Sequence, residues 1–468
     1  MLDDGGVVRL RSWRGVAVLA VAEVASSLAV VDANVVNVSV PDIALTYNAD
    51  IGQIQWVINA YLLGLAGLVL AGGLLVDRWG EFRTYLWSVG CFALFSALCG
   101  VSPGIGQLIA FRALQGCAAA VAIPCSLAIL RRTIVAEDGA RAVMIWWAAG
   151  GAVGAAGPML GGWITDSWDW RWIFFVNVPL AVLSLVAAVF FVPRGRSSVP
   201  LGRQRRFACG LLACGLTLIT WGLIQGNSDG GTALLPVYSV LAGVLILVVL
   251  ALHQRRTRNR LIARGVFNRR LVVSCAVLFC VYVSLTAIVL FVVLYAQVVL
   301  DESAYSSSFV LLPLPLVTLV VSPLFAGKGV AEYRTIVVGA ALSALALFAL
   351  GTASGDMSYE ALVLLVLIYS IGNALAAPRV ISTAMAGAGS RHAGAVAGIT
   401  NTVSRAGSLI SGAALPGIIG MQGTSYLVAS AFVEHFGRAM AVVALVSLLG
   451  CALAFWQLRA EVRRADAC

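Results

Sequence analysis

Fourteen apolar stretches, each about as long as a bilayer crossing, follow one another along the 468 residues with short polar breaks between them. They fall near 14–38, 53–76, 84–101, 105–130, 142–164, 173–192, 208–226, 234–252, 271–297, 306–326, 335–353, 360–384, 395–420 and 437–458. Roughly 20 apolar residues cross the hydrocarbon core as a helix, because a helix satisfies its own backbone where no water can. With 60% hydrophobic and 11% charged residues, too little polar surface remains for a soluble globular protein. The expected class is therefore an all-α integral membrane protein. No cleavable signal peptide is expected, since the first apolar run continues as a full span without a small-residue cleavage site.

A net charge of +10 would suggest a nucleic-acid partner in a soluble chain. Here the placement of the charges matters more. With the N-terminus inside, 26 of the 31 basic residues fall on the inner side of the spans. Two, Arg171 and Arg438, fall outside, and Arg112, Arg379 and Arg405 lie within spans. The bias predicts cytoplasmic termini, with the lipid bilayer and no nucleic acid as partner. Nine of the ten cysteines lie in spans, so they read as packing residues and no outer-loop disulfide is expected.

The fifth span contains AGGAVGAAGPMLGGW, residues 149–163. Gly150, Gly154, Gly157 and Gly161 share one helix face, which lets another helix approach to backbone contact. Pro158 lacks an N–H, frees the carbonyl of Gly154 and favours a kink. Such a face serves a sliding or rocking interface, or simply a tight glycine contact.

Gly157, Pro158, Gly161 and Gly162 resemble the G-P-x-x-G-G signature on the fifth helix of major facilitator exporters. VDANVVNVSVP, residues 31–41, resembles the end of the first helix in fourteen-span drug:proton antiporters, with Asn34 in place of the usual threonine. WVINAYLL at 56–63 and GLLVDRWGEFR at 73–83 resemble the family's second helix and first inner loop. In that loop Gly73, Asp77, Arg78 and Gly80 match, while Glu81 and Phe82 replace a basic pair. LIAFRALQG carries Arg112, Gln115 and Gly116, and WRWIFFVNVP at 170–179 matches the segment before the sixth helix.

The resemblance is to the QacA/EmrB type of the major facilitator superfamily. It implies a six-helix bundle over 1–192, basic linkers with two extra spans over 193–270, and a second bundle over 271–468. It further implies proton-driven export of an amphipathic drug, antibiotic or metabolite from the bacterial cell by a monomer. The alternatives are uptake on the same fold and a non-transporting membrane sensor. No phosphate-binding G-x-x-x-x-G-K-[ST] loop occurs, and His253, His392 and His435 all fall in loops, so neither an enzyme, a metal site nor a cofactor is expected. The energy source would be the proton gradient.

Ionisable residues inside spans cost about 2.5–3.5 kcal/mol or more at mid-membrane and mark function. Asp32 and Arg112 lie at matching depth and can meet if the first and fourth spans pack. An arginine beside a buried carboxylate, or its absence, sets that acid's affinity for a proton. Glu23, nine residues from Asp32 and on the opposite face, reads as a second proton site, a contact for a cationic substrate, or a structural partner. Arg405 shares a face with Gly398, Thr402, Leu409 and Gly412; it would pair with Glu23 across the bundles or meet an anionic substrate. A neighbouring hydroxyl holding Glu23 would remove that pairing. Arg379, nearer the inner end, can snorkel and is less informative. Trp56, Asn59, Tyr61, Tyr295, Tyr369, Asn373 and Asn401 are candidate cavity residues. Asp77 and Arg78 could latch one bundle to the other, or form only a solvated turn.

Overall fold

The apolar runs become helices. The structure, a computed structural model, describes residues 8–194, 203–228, 234–256, 269–324, 330–386 and 393–465. Among them lie α1 (Trp13–Val35), α2 (Val40–Tyr47), α3 (Ile51–Trp79), α4 (Glu81–Gly100), α5 (Ile105–Thr133) and α6 (Ala136–Ser167). Then follow α7 (Trp172–Phe175), α8 (Asn177–Phe191), α9 (Arg203–Ser228), α10 (Leu234–Arg256), α11 (Arg269–Val298) and α12 (Ala304–Phe309). The chain ends with α13 (Pro313–Leu324), α14 (Val330–Thr352), α15 (Tyr359–Ala386), α16 (Ala393–Ile418) and α17 (Ala429–Ala465). Much of the basic linker after α8, most of the second basic loop, and Lys328, His392 and Cys468 lie outside the described residues.

Ten described segments are long and apolar enough to cross a membrane, in α1, α3, α4, α5, α7–α8, α11, α12–α13, α14, α15 and α17. Helices α9 and α10 hold the shorter apolar stretches Gly210–Gly226 and Leu234–Leu250. Helices α6 and α16 run 32 and 26 residues, long enough to span at ~1.5 Å per residue. Leu183, Phe190, Leu245 and Leu448 are all more than half exposed, as lipid-facing side chains are.

The chain divides into two compact units. The first holds Met1–Ala49, Trp56–Ile219 and Leu241–His253. Within it, glycines replace side chains where helices meet. A Cβ on Gly116 would stand 2.1 Å from the Tyr61 carbonyl oxygen, and one on Gly64 2.7 Å from that of Ala113. Helices α3 and α5 are thus in backbone contact. The extra helices pack rather than stand apart: Gly243 of α10 faces the Gly215 carbonyl of α9, and Ala213 of α9 lies against Gly67 of α3. Before α1, Val8 pairs with the turn between α5 and α6, donating to Thr133 O at 2.7 Å, while Leu10 N–H donates to Asp138 Oδ2 at 2.9 Å.

The second unit holds Asp50–Gln55, Thr220–Val240 and Gln254–Cys468. Gly339 of α14 and Gly372 of α15 stand against each other's backbone, each placing a Cβ 2.6 Å from the other's carbonyl oxygen. Phe291, Phe432, Tyr295 and Phe436 form a ring cluster between α11 and α17.

Arg379 corrects the sequence expectation. It does not snorkel; it is 4% exposed and turned onto backbone. Pro378 has no N–H for the Ala374 carbonyl, and Arg379 Nη1 donates to that oxygen at 2.9 Å and to Leu375 O at 3.0 Å. Its Nη2 donates to Ser322 O in the last turn of α13 at 2.8 Å. The guanidinium therefore mends a proline break and ties α13 to α15. Arg379→Leu is expected to destabilise the protein by roughly 1–3 kcal/mol for the carbonyls left without donors. Arg379→Lys should recover only part of this, because one ammonium lacks the fork that reaches both helices. Thermal unfolding in detergent reads both, and an unchanged midpoint for Arg379→Leu would refute the account.

Candidate functional site

Asp32 sits in the last turn of α1, 0% exposed, and Arg112 of α5 is 1% exposed. Arg112 Nη1 donates to Asp32 Oδ2. The same nitrogen donates to Gln115 Oε1 at 2.8 Å, and Nε to the Val57 carbonyl of α3 at 3.3 Å. That carbonyl is in reach because α3 and α5 touch at their glycines. Asp32 Oδ1 accepts from Gln115 Nε2 at 2.9 Å and from Asn177 Nδ2 of α8 at 3.1 Å. Asn177 is held in turn at Ser96 Oγ of α4 (3.1 Å), which donates to Phe174 O of α7 at 2.8 Å.

The Tyr61 ring lies under the guanidinium, 4.3 Å from its carbon, with the Phe174 ring at 5.6 Å. Tyr61 O–H donates to Ala29 O of α1 at 2.7 Å. The expected meeting of Asp32 and Arg112 is therefore present, and it is wider than the sequence reading. Gln115, three residues from Arg112 on α5, joins the pair. Asn177, which stands inside WRWIFFVNVP, and Ser96 join it from α8 and α4 with no signal in the spacing of either helix. Every side-chain contact of the carboxylate is a donor: a guanidinium, two amides and no acceptor. Oδ1 accepts two of these bonds and Oδ2 one, so a proton on Asp32 would weaken the hold of all three donors on the carboxylate.

The glycine face of α6 lies along the same helix α1. Measured to the place a Cβ would occupy, Gly154 is 2.6 Å from Val30 Cγ1, Gly157 3.5 Å from Val31, and Gly161 2.4 Å from Val35 Cγ2. Gly150 faces Glu23, with Oε1 at 3.4 Å. Gly162 is buried, and Pro158 stands inside a continuous helix. The close helix contact is thus real, and it is made with the helix that carries Asp32.

Residues 24–412 match the Major Facilitator Superfamily. The chain belongs to the major facilitator superfamily. Among its relatives, Puromycin resistance protein pur8 of Streptomyces alboniger is 33% identical over 86% of this chain and 81% of the relative. Cephamycin export protein CmcT of Amycolatopsis lactamdurans is 32% identical over 92% of this chain and 90% of its own. A solved POT family transporter in complex with 5-aminolevulinic acid has the same fold, with a TM-score of 0.68, 15% identity and coverage of 95% and 98%. The similarity is to transporters rather than enzymes, and to multi-pass proteins of the bacterial plasma membrane.

In this major facilitator chain the inner-loop motif has a clear local basis. Gly80 caps α4 at φ 79°, a conformation that favours glycine, whereas Gly73 has open space around it. Asp77 and Arg78 are exposed and form no ion pair among the described residues. The charge pair at this end is Glu81 with Arg132 of α5, 2.6 Å apart. The acid that departs from the family pattern thus has a basic partner of its own.

Three of the cavity candidates are closed off in this structure. Tyr61, Tyr295 and Tyr369 are 0% exposed, and their hydroxyls are bonded to Ala29 O, Ser354 O and Ser284 Oγ. Asn59 is also 0% exposed, yet neither its oxygen nor its nitrogen has a hydrogen-bond partner among the described residues; the same holds for Asn373 Oδ1. Trp56, Asn401 and Arg405 are half-buried, and Arg405 makes no ion pair among the described residues. Glu23 accepts from Ser27 Oγ at 2.7 Å within α1. That is the neighbouring hydroxyl which the sequence reading set against a pairing with Arg405.

Proposed function

We propose that the protein exports amphipathic small molecules, antibiotics among them, in exchange for protons. In this reading it is a fourteen-span exporter of QacA/EmrB type with cytoplasmic termini, working as a monomer with no cofactor. The observation that carries it is the donor-only shell around the buried Asp32. A proton on Asp32 removes the negative charge that holds Arg112 and weakens the bonds from Gln115 and Asn177, so its uptake loosens the ties that α1 makes to α5 and α8. The resistance and export names of its relatives support the direction of transport, as does the glycine face packed along α1.

Reconstitution into proteoliposomes tests this. An imposed pH gradient should drive uptake of puromycin or a cephamycin into inside-acidic vesicles, and a protonophore should collapse it. Transport that ignores the pH gradient would refute proton antiport while leaving export standing.

A further inference from the structure

The second half of α17 packs on α11 with one side and leaves another uncovered. Gly450 lies against Cys280 of α11, a Cβ there standing 3.1 Å from the cysteine's own, and Ala454 is buried in one cluster with Val273 and Val277. Facing outward, Leu445, Leu448, Leu449, Phe455, Trp456 and Arg459 are exposed at offsets of 3, 4, 10, 11 and 14, which is a single stripe of a helix. Exposed leucines alone are ordinary on a lipid-facing helix. This stripe differs in how it ends: it runs from leucines through two aromatic rings to an arginine.

Two arginines rest on those rings. The guanidinium carbon of Arg269, in the first turn of α11, stands 3.7 Å from the centre of the Trp456 ring, and that of Arg459 stands 4.5 Å from the Phe455 ring. Both arginines are exposed, and neither forms an ion pair among the described residues. A guanidinium held over a ring still has N–H groups to offer an acceptor, and phosphate fits their fork. Tryptophan rings settle at the headgroup level of a bilayer, with their apolar body toward the chains. Charge, rings and leucines therefore follow one another in the order of a phospholipid: phosphate, glycerol, acyl chain. The charge that complements two arginines is negative.

We propose that this edge of α11 and α17 binds an anionic phospholipid. Arg269 and Arg459 hold its phosphate, Trp456 and Phe455 flank its glycerol, and an acyl chain lies along Leu449, Leu448 and Leu445. A zwitterionic headgroup carries its own cation, which two arginines repel, so the site selects for net negative charge. With the cytoplasmic termini proposed above, the lipid comes from the inner leaflet; the binding itself depends neither on that topology nor on what is transported. One phosphate shared by both arginines ties the start of α11 to the end of α17.

Native mass spectrometry of the full chain tests this, in micelles holding equal amounts of dioleoylphosphatidylglycerol and dioleoylphosphatidylcholine. The wild type should retain the anionic lipid about tenfold over the choline lipid, the range expected for two guanidiniums at one headgroup. Arg269→Gln with Arg459→Gln should bring the first lipid retained close to parity. Trp456→Leu keeps both charges and the apolar contact, and should lose part of the preference. Arg131→Gln with Arg141→Gln removes the same charge from exposed positions on α5 and α6 and should leave the preference unchanged. All the substituted side chains are exposed, so every variant should unfold at the wild-type temperature. No preference in the wild type, or an unchanged one in the Arg269 and Arg459 variant, overturns the proposal. An equal loss in the Arg131 and Arg141 variant overturns it in favour of overall basic charge. Displacement of the lipid by an equal concentration of soluble glycerol phosphate overturns it in favour of a plain anion site. Wild-type dimers that Leu448→Glu dissolves would assign the face to a second copy of the chain.

Discussion

Asp32→Asn is expected to abolish pH-driven transport while leaving gradient-free exchange of substrate across the membrane measurable. The substitution keeps the shape and the ability to accept from Gln115 and Asn177, but removes the carboxylate at the centre of the network. It also leaves Arg112 as a buried charge without its counterion. Removing one partner of a buried pair costs about 3–5 kcal/mol. Here part of that is offset, because the guanidinium keeps Gln115 Oε1, the Val57 carbonyl and the Tyr61 ring. The variant should therefore fold with a lowered unfolding temperature. Asp32→Asn combined with Arg112→Gln should regain thermal stability and still fail to couple to the gradient. Recovery of drive along with stability would show that Asp32 matters only for folding. Counterflow and pH-driven uptake, measured on the same vesicles, separate the two.

The Asp32–Arg112 pair was legible from depth alone: two ionisable residues about the same distance from the outer face, each too costly to leave by itself. The rest of its shell was not, because Asn177 and Ser96 come from α8 and α4, and no spacing along one helix brings them to α1. Tyr61 was legible only as an aromatic in a span; that its ring lies under the arginine depends on the glycine contact between α3 and α5. For Glu23 and Arg379 the bonding partner lies within one helical turn. Ser27 stands four residues after Glu23, one helical turn away, where a hydroxyl meets a carboxylate. Arg379 follows Pro378, whose missing N–H strips a donor from Ala374. In both cases the nearest turn supplies a bond that competes with a distant partner or with the membrane edge. The glycine face of α6 was read correctly as a contact surface, but sequence could not say that it faces α1.

Substituting the helix-contact glycines with alanine is expected to produce a steep, ordered series, with Gly116→Ala at its severe end. A methyl there would lie 2.1 Å from the Tyr61 carbonyl oxygen, and 2.9 Å from that residue's Cα. Backbone cannot swing aside as a side chain can, so α3 and α5 must separate. That moves the Val57 carbonyl away from Arg112 and unseats the Tyr61 ring beneath it. Gly116→Ala should therefore lose both stability and transport, at a cost beyond the usual ~1–3 kcal/mol of overpacking. Gly154→Ala and Gly161→Ala meet Val30 Cγ1 at 2.6 Å and Val35 Cγ2 at 2.4 Å, which are ends of side chains. Gly154→Ala should be milder, since a rotamer change of Val30 relieves it. At Gly161 the Val35 carbonyl oxygen also stands at 3.1 Å, so relief there is incomplete. Gly157→Ala has 3.5 Å of clearance and should fold as the wild type does. Its effect then isolates motion: if α6 slides along α1 during transport, the added methyl catches on Val31 and slows turnover without lowering the unfolding temperature. Wild-type turnover by Gly157→Ala and by the bulkier Gly157→Leu would make this face a fixed contact. A loss of stability in Gly157→Ala comparable with that in Gly116→Ala would contradict the packing itself.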